Sequence, residues 1–314
     1  MDFINENLMN EMKSLNEKFK YKLKHIDNIN KKSIRNNLIK HGKIIQLERL
    51  EKSDLSKFKP MACVDGSVNR FGGTYPHYID IFQGLGKVSE GKFKSVFKSF
   101  VNSPMFYPTS ETEDDMRTRL LAKIEVDTAL EVIDKYNIKF LLMDGNLIRY
   151  QIQVPEGFEL LKQKCEENNI ILAGFIKESK TNSLYSLFYG ENSEISIFDK
   201  DLLYGVLNIG ESFILSDELN KKINQGFNSI LLRISNYPGI SGIEVLNSQK
   251  DYLIEVSNIC FSLTSKMSRG VPLIIDIVDK EVKIDDKLAE ELIKSYIDQE
   301  IIERFFRSER SMRN

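Results

Sequence analysis

Two stretches of this chain close in the same way. "MACVDGSVNRFGG", beginning at Met61, and "FLLMDGNLIRY", beginning at Phe140, are each an apolar run that ends on Asp-Gly and a small polar residue. One Asp-Gly pair is an ordinary turn signal. Two of them, each closing a strand apolar enough to be buried, constrain the fold much more. They predict a carboxylate at the tip of each of two core strands, Asp65 and Asp144, and they raise the possibility of one shared site.

The rest of the chain supplies a frame for those strands. Residues 1–57 are rich in Lys, Asn, Leu and Ile, with Leu8, Met12, Leu15, Phe19 and Leu23 at helical spacing. They read as an N-terminal helical arm in two or three segments, able to pack on the core or on a second subunit. Residues 58–314 read as one domain. Three strands come first, in "MACVDGSV", "HYIDIFQGLGKV" and "KFKSVFKSFV", joined by short connections. A strong amphipathic helix, "DDMRTRLLAKIEVDTALEVIDKYN", then leads into the buried strand that ends at Asp144. After it, "PEGFELLKQKCEENN" is a helix, "IILAGFIK" a strand and "DKDLLYGVLN" a short helix. "NSILLRIS" and "ISGIEVL" are strands around "NYPG", and "KDYLIEVSNICFSLTSKM" is a helix. "VPLIIDIV" is ambiguous between strand and helix, and "DDKLAEELIKSYIDQEIIERFF" is a long closing helix. The order predicts an α/β fold: a mixed sheet, antiparallel on one side and parallel on the other, flanked by helices. In such sheets sites gather at the C-terminal ends of the parallel strands.

Composition narrows the chemistry. A length of 314 residues with 41% hydrophobic content supports a real core. A net charge of −2 gives no overall pull on nucleic acid, so such a partner needs a local basic groove. The three cysteines, Cys63, Cys165 and Cys260, contain no CxxC pair, which argues against zinc and against a disulfide framework. His25, His41 and His77 lack ligand spacing, and "RFGG" at Phe71 is a hairpin turn with no helix start behind it. The N-terminus lacks the pattern of a signal peptide, and no apolar run approaches the roughly 20 residues that cross a bilayer. The expectation is a soluble, cytoplasmic protein with no membrane role.

A third acid follows from helical phase. Glu125 lies within the stripe of Leu121, Thr128, Val132 and Tyr136, whereas Asp127 lies between Lys123 and Glu131 on a solvated face. A carboxylate inside an apolar stripe costs free energy unless it is paired or metal-bound. Glu125 stands 19 residues before Asp144, room for two more helical turns and the strand. If the strands of Asp65 and Asp144 are neighbours, their carboxylates need protons or cations between them. Carboxylate oxygens suit hard cations such as Mg²⁺ and Mn²⁺. Strand-tip Asp, in-stripe Glu and second strand-tip Asp, in that order, is the arrangement of a two-metal nuclease of the ribonuclease H type, in which metals about 3.5–4 Å apart act on a phosphodiester.

With those residues in place, "ACVDGSVN", "RTRLLAKIEVDTAL", "LLMDGNL", "GFIKESKTNSL" and "GVPLIIDIVDKEVKI" together resemble the motifs of the NurA nuclease family, from about residue 60 to 290. The resemblance implies a ribonuclease H-like fold, Mn²⁺ or Mg²⁺ as cofactor, a homodimer, and a hexameric HerA-type ATPase as partner in resecting DNA ends. Asp65, Glu125 and Asp144 resemble the first three metal ligands, although Asn146 stands where Ser is common. The last motif departs: Val271 occupies a tyrosine position and Asp279 a histidine position. Asp279 is then the fourth ligand and Asp276 its runner-up. Lys177, with Lys180 nearby, is a candidate contact to the scissile phosphate, and Arg119 a candidate for the same groove.

The function expected is a metal-dependent DNA nuclease of 5′ to 3′ exonuclease polarity, with endonuclease activity as an open possibility, in double-strand-break end resection. Two rivals stand beside it. One is an ATPase of the actin and sugar-kinase type, which nucleotide binding would favour. The other is a degenerate nuclease serving as a DNA or ATPase adaptor, for which Val271 and Asp279 speak and which binding without turnover would favour.

Overall fold

The computed structural model of the chain describes residues 5–27, 29–106, 111–190 and 197–306. Residues 1–4 and 28 of the expected arm lie outside that set. Helices α1 (Glu6–Asp27), α2 (Lys31–His41) and α3 (Lys52–Lys57) form where helical spacing predicts them. Between α2 and α3, Gly42–Gln46 is not helix but strand, β1, an edge of the main sheet. Among the described residues the apolar stripe of α1 stays exposed, at Leu8, Met12, Leu15, Phe19 and Leu23.

The sheet has nine strands in the order β1-β7-β8-β9-β6-β5-β2-β3-β4. Strands β2 (Met61–Gly72), β3 (Tyr78–Val88) and β4 (Lys94–Asn102) form an antiparallel ribbon at one side. β2 also pairs in parallel with β5 (Phe140–Asp144), and β5 with β6 (Ile171–Ile176). β7 (Glu211–Leu215), β8 (Phe227–Leu232) and β9 (Ser241–Leu246) complete the other side, antiparallel to one another and to β6. The parallel strands are therefore central, with antiparallel pairs on both flanks rather than on one.

Helices cover both faces. On one, α4 (Glu113–Lys135) and α6 (Pro155–Glu167) pack with α5 (Leu147–Gln153) over Val64, Leu141, Met143 and Leu172. On the other, α9 (Leu253–Ser262) and α10 (Leu273–Val282) cover Cys63, Leu85, Leu142 and Ala173. The ambiguous segment after Gly270 is thus helix: Ile274, Ile275, Val278 and Val282 are its buried face. α7 (Ser183–Tyr189) and α8 (Asp199–Leu202) join α2 in a smaller cluster against β7. The closing helix is interrupted: α11 (Asp286–Tyr296) ends at Ile297, and Ile302–Phe306 forms a separate wide turn packed near Ile79 and Ile81. Cys63, Cys165 and Cys260 are buried and unpaired.

Two features of the ribbon set the site. First, β2 does not stop at Asp65. It continues to Gly72, paired with β3 along the whole way, so Asp65-Gly66 is strand rather than turn. What ends there is its pairing with β5, whose last rung is Val64 opposite Met143. Second, Gly66 lies opposite Gly84, and Gly86 follows two residues on. A Cβ at Gly84 would sit 2.2 Å from Thr128 Oγ1, and one at Gly86 2.3 Å from Val132 Cγ2. One at Gly66 would sit 2.7 Å from Glu125 Cγ. The three glycines form a trough into which α4 sinks, which is why Glu125 reaches the strand that carries Asp65.

This packing makes a specific demand. Gly84→Ala should lower stability by about 1–3 kcal/mol, the usual range for overpacking a filled interior, measured by urea unfolding of the full chain. An unchanged midpoint would mean that α4 does not seat in the trough.

Candidate metal centre

Asp65, Asp144 and Asp279 come from three elements: β2, the end of β5, and α10. One carboxylate oxygen from each lies within 4.8 Å of the others. The strands converge because β2 and β5 are parallel neighbours whose pairing ends one residue earlier. α10 crosses β2 and β3 on the Cys63 face with Asp279 one turn beyond Asp276. Exposure rises across the cluster: Asp65 is buried, Asp144 nearly so, and the side chain of Asp279 is 50% exposed.

Glu125 is 1% exposed and stands behind this trio, against Gly66. It forms an ion pair with Arg149 on α5. Arg149 also lies over the Tyr150 ring, 4.6 Å from its centroid, and its Nε has no hydrogen-bond partner. Lys177, the residue after β6, places its Nζ 2.5 Å from Asp144 Oδ2 and 3.2 Å from Asp279 Oδ1. No local pattern in the sequence announces either pairing. The only signal of Arg149 in sequence is a basic residue one turn into the helix that follows a strand-tip Asp.

The remaining candidates fall elsewhere. Asp276 is held by Arg269, with Nη2 to Oδ1 at 2.7 Å, so Asp279 is the acid of α10 that joins the cluster. Arg119 forks onto Glu111, with bonds of 2.9 Å from Nε and from Nη2. Lys180 is exposed. Asp127 pairs with Lys123 on the outer face of α4. Val271 is buried.

The electrostatics follow from crowding. Burial, then the neighbouring Asp144 and Glu125, push the Asp65 carboxyl well above the usual range. Burial also raises Asp144, with Lys177 opposing it. Glu125 is pushed up to about 7 by burial, against the pull of Arg149. On Lys177 burial disfavours the charge, yet Asp144 and Asp279 outweigh it and the net direction is up. The cluster favours positive charge at its centre and presents only hard oxygen donors there. That donor set fits a divalent cation of the Mg²⁺ or Mn²⁺ kind.

The NurA domain family matches residues 59–284. A protein of Methanocaldococcus jannaschii, described as a "probable DNA double-strand break repair nuclease NurA", is 28% identical over 247 residues, 76% of this chain and 54% of that protein. The chain therefore spans about half the length of this curated relative. The crystal structure of the NurA nuclease from Sulfolobus solfataricus aligns with a TM-score of 0.62 at 11% identity, over 93% of this chain and 96% of that one. At that identity the likeness speaks for the fold, which is ribonuclease H-like as expected. Among the described residues no helix is long and apolar enough to cross a membrane. The family match takes in eight of the nine strands and the helix that carries Asp279, and on that ground the chain belongs to the NurA family.

Proposed function

We propose that the chain is a divalent-metal-dependent DNA nuclease. The observation that carries this reading is the meeting of Asp65, Asp144 and Asp279 at the ends of the central parallel strands, in a member of the NurA family. In this proposal Asp65, Asp144 and Asp279 hold Mn²⁺ or Mg²⁺, and Glu125 behind them is the fourth acid. A divalent cation in such a site supplies Lewis acidity at a phosphodiester and makes water a usable nucleophile.

The chain's own residues supply the rest. Arg149 holds the Glu125 carboxylate against Gly66 and fixes its direction. Lys177 contributes a cation at the mouth, where a phosphate oxygen can replace Asp144 and Asp279 as its partner. Lys180, exposed nearby, follows the backbone of the bound strand, and Arg119 stays with Glu111. The finer reading is a 5′ to 3′ exonuclease, with endonuclease activity at the same centre, in double-strand-break end resection beside a HerA-type ATPase. A homodimer belongs to the same proposal. The exposed stripe of α1 in the arm, residues 1–57, is available for such contacts beside the nuclease domain of residues 58–314.

Two measurements test this. Duplex DNA labelled at its 5′ ends should be degraded with Mn²⁺ and left intact with EDTA, and Asp65→Asn should lower the rate more than about 100-fold, beyond the usual loss for a residue one step removed from a metal. Equal cleavage in EDTA would remove the metal mechanism. DNA binding without turnover under any divalent cation would turn the reading to an adaptor.

The second concerns pH. Asp65 and Glu125 hold protons more tightly folded than unfolded, so the metal-free fold loses stability as pH rises from the ordinary carboxylate range, near 4, through about 7 for Glu125 and about 8 for Asp65. Melting of the metal-free chain should therefore come at a lower temperature at pH 8 than at pH 5, and Glu125→Gln should flatten the difference. Mn²⁺ should raise the melting temperature more at pH 8 than at pH 5, because the metal takes the deprotonated acids. A profile identical in the parent and in Glu125→Gln would refute the assignment of strain to this carboxylate.

A further inference from the structure

One buried carboxylate has no part in the metal centre as so far described. Glu244, on β9, is fully buried. It lies two strands away from Asp144 in the sheet: Met143 is opposite Gly174 on β6, and Gly174 is opposite Glu244. Its Oε2 accepts a hydrogen bond from Leu147 N at 2.8 Å, and its Oε1 meets Lys222 Nζ at 2.6 Å. Leu147 is the first residue of α5, so this bond satisfies one of the backbone donors that a helix start leaves without partners. Asn146 satisfies another, its Oδ1 accepting from Arg149 N at 2.9 Å.

The reach across β6 depends on Gly174. A Cβ there would lie 2.5 Å from Gly145 O and 3.1 Å from Leu147 N. The missing side chain lets the turn after Asp144 lie flat on β6, where Gly145 N donates to Phe175 O at 2.9 Å and Leu147 N meets Glu244. Lys222 closes the arrangement from outside and balances a charge that burial would otherwise make costly. Both ends of the segment so fixed are tied to the acidic cluster. Asp144 is the residue before the turn, and Arg149, one turn into α5, grips Glu125. Tyr150 on the same helix directs its hydroxyl back to Asp144 O at 3.4 Å.

We propose that Glu244 is a positioning residue of the metal centre: by anchoring the start of α5 across Gly174 it sets the direction of Asp144 and, through Arg149, of Glu125. A hydrogen bond that orients a ligand acts on affinity for the cation as well as on rate. The proposal rests on the reading of the cluster as a divalent-metal site. It adds a residue that touches neither metal nor DNA and sits two strands from the nearest ligand.

The test uses the full chain and Mn²⁺ alone, without DNA. Binding is read from the electron paramagnetic resonance of free Mn²⁺, and amide exchange is followed by mass spectrometry in peptides spanning residues 144–150. Glu244→Asp keeps the charge beside Lys222 but draws the carboxylate back by one methylene. It should weaken Mn²⁺ binding by about tenfold or more and speed exchange at 144–150 in the metal-free protein. Glu244→Gln keeps an oxygen that accepts from Leu147 N and should bind Mn²⁺ close to the parent. Glu244→Asp with a lower melting temperature but parental Mn²⁺ affinity would make the residue merely structural and overturn the proposal. So would a Glu244→Gln chain as weak as Glu244→Asp. If the parent itself takes up no Mn²⁺, the metal-site reading fails and Glu244's role falls with it, an outcome distinct from parental binding that the variants leave unmoved.

Discussion

Helix α4 approaches the β2–β3 ribbon so closely that no side chain fits between them at Gly66, Gly84 and Gly86. Much of the rest depends on that contact. It brings a helical carboxylate, Glu125, to the strand that carries Asp65 and buries it there almost completely. A wider gap would let Glu125 bend toward solvent and lose its ion pair with Arg149. The glycines weaken strand propensity, since glycine loses more freedom on folding than other residues. The eleven paired rungs of the β2–β3 ribbon offset that weakness, and the helix seated in the trough adds apolar burial from Ala122, Val126, Ala129 and Val132.

The close approach has an electrostatic cost that fixes what the site can hold. Two unit charges at 4.8 Å repel by about 3 kcal/mol at an effective dielectric near 20, and this cluster has several such pairs. A domain is stable by only about 5–15 kcal/mol, so four bare carboxylates could not be kept together. The fold answers with two cations. Arg149 serves the buried acid and Lys177 the two acids nearer solvent. The neutralisation is partial, and protons on Asp65 and Glu125 supply the remainder when no metal is present. A divalent cation at the three aspartates would relieve the same repulsion, with Arg149 still paired to Glu125. On the proposed reading, affinity for metal and the mutual repulsion of the acids would be one quantity seen from two states.

How much of this was legible in the sequence differs by residue. Asp144 closes a run so apolar that only a buried strand fits it, and Glu125 stands in a stripe that only burial explains. Asp65 lies in the cluster, but on a continuing strand rather than at the turn its Asp-Gly pair predicts. Asp-Gly signals a turn in most chains, but Gly66 is here because Glu125 leaves no room for a Cβ, a demand made by a helix some 60 positions later. β1 and β7 are short, five-residue strands that pair with each other across the chain, and Gly42, which ends α2, is the one local sign of β1. Asp279 was legible only through family resemblance, since helical phase alone favours neither it nor Asp276. Arg149, Lys177's double pairing and Glu244 depend on which elements become neighbours, and no local pattern carries that.

The departure at Asp279 gains a physical account from its surroundings. Where the family resemblance puts a histidine, a carboxylate in place of a neutral imidazole adds one negative charge to a cluster already rich in them. Two circumstances make the exchange tolerable. Asp279 is the most exposed of the three converging acids, so water screens the added charge and its desolvation is small. Lys177 lies 3.2 Å from it, close enough to share between Asp279 and Asp144. The same substitution at the position of Asp65, buried and without a cation of its own, would have no such relief. The outer position of the cluster is thus the one at which an added charge costs least, and Lys177 is the residue whose loss should make it costly.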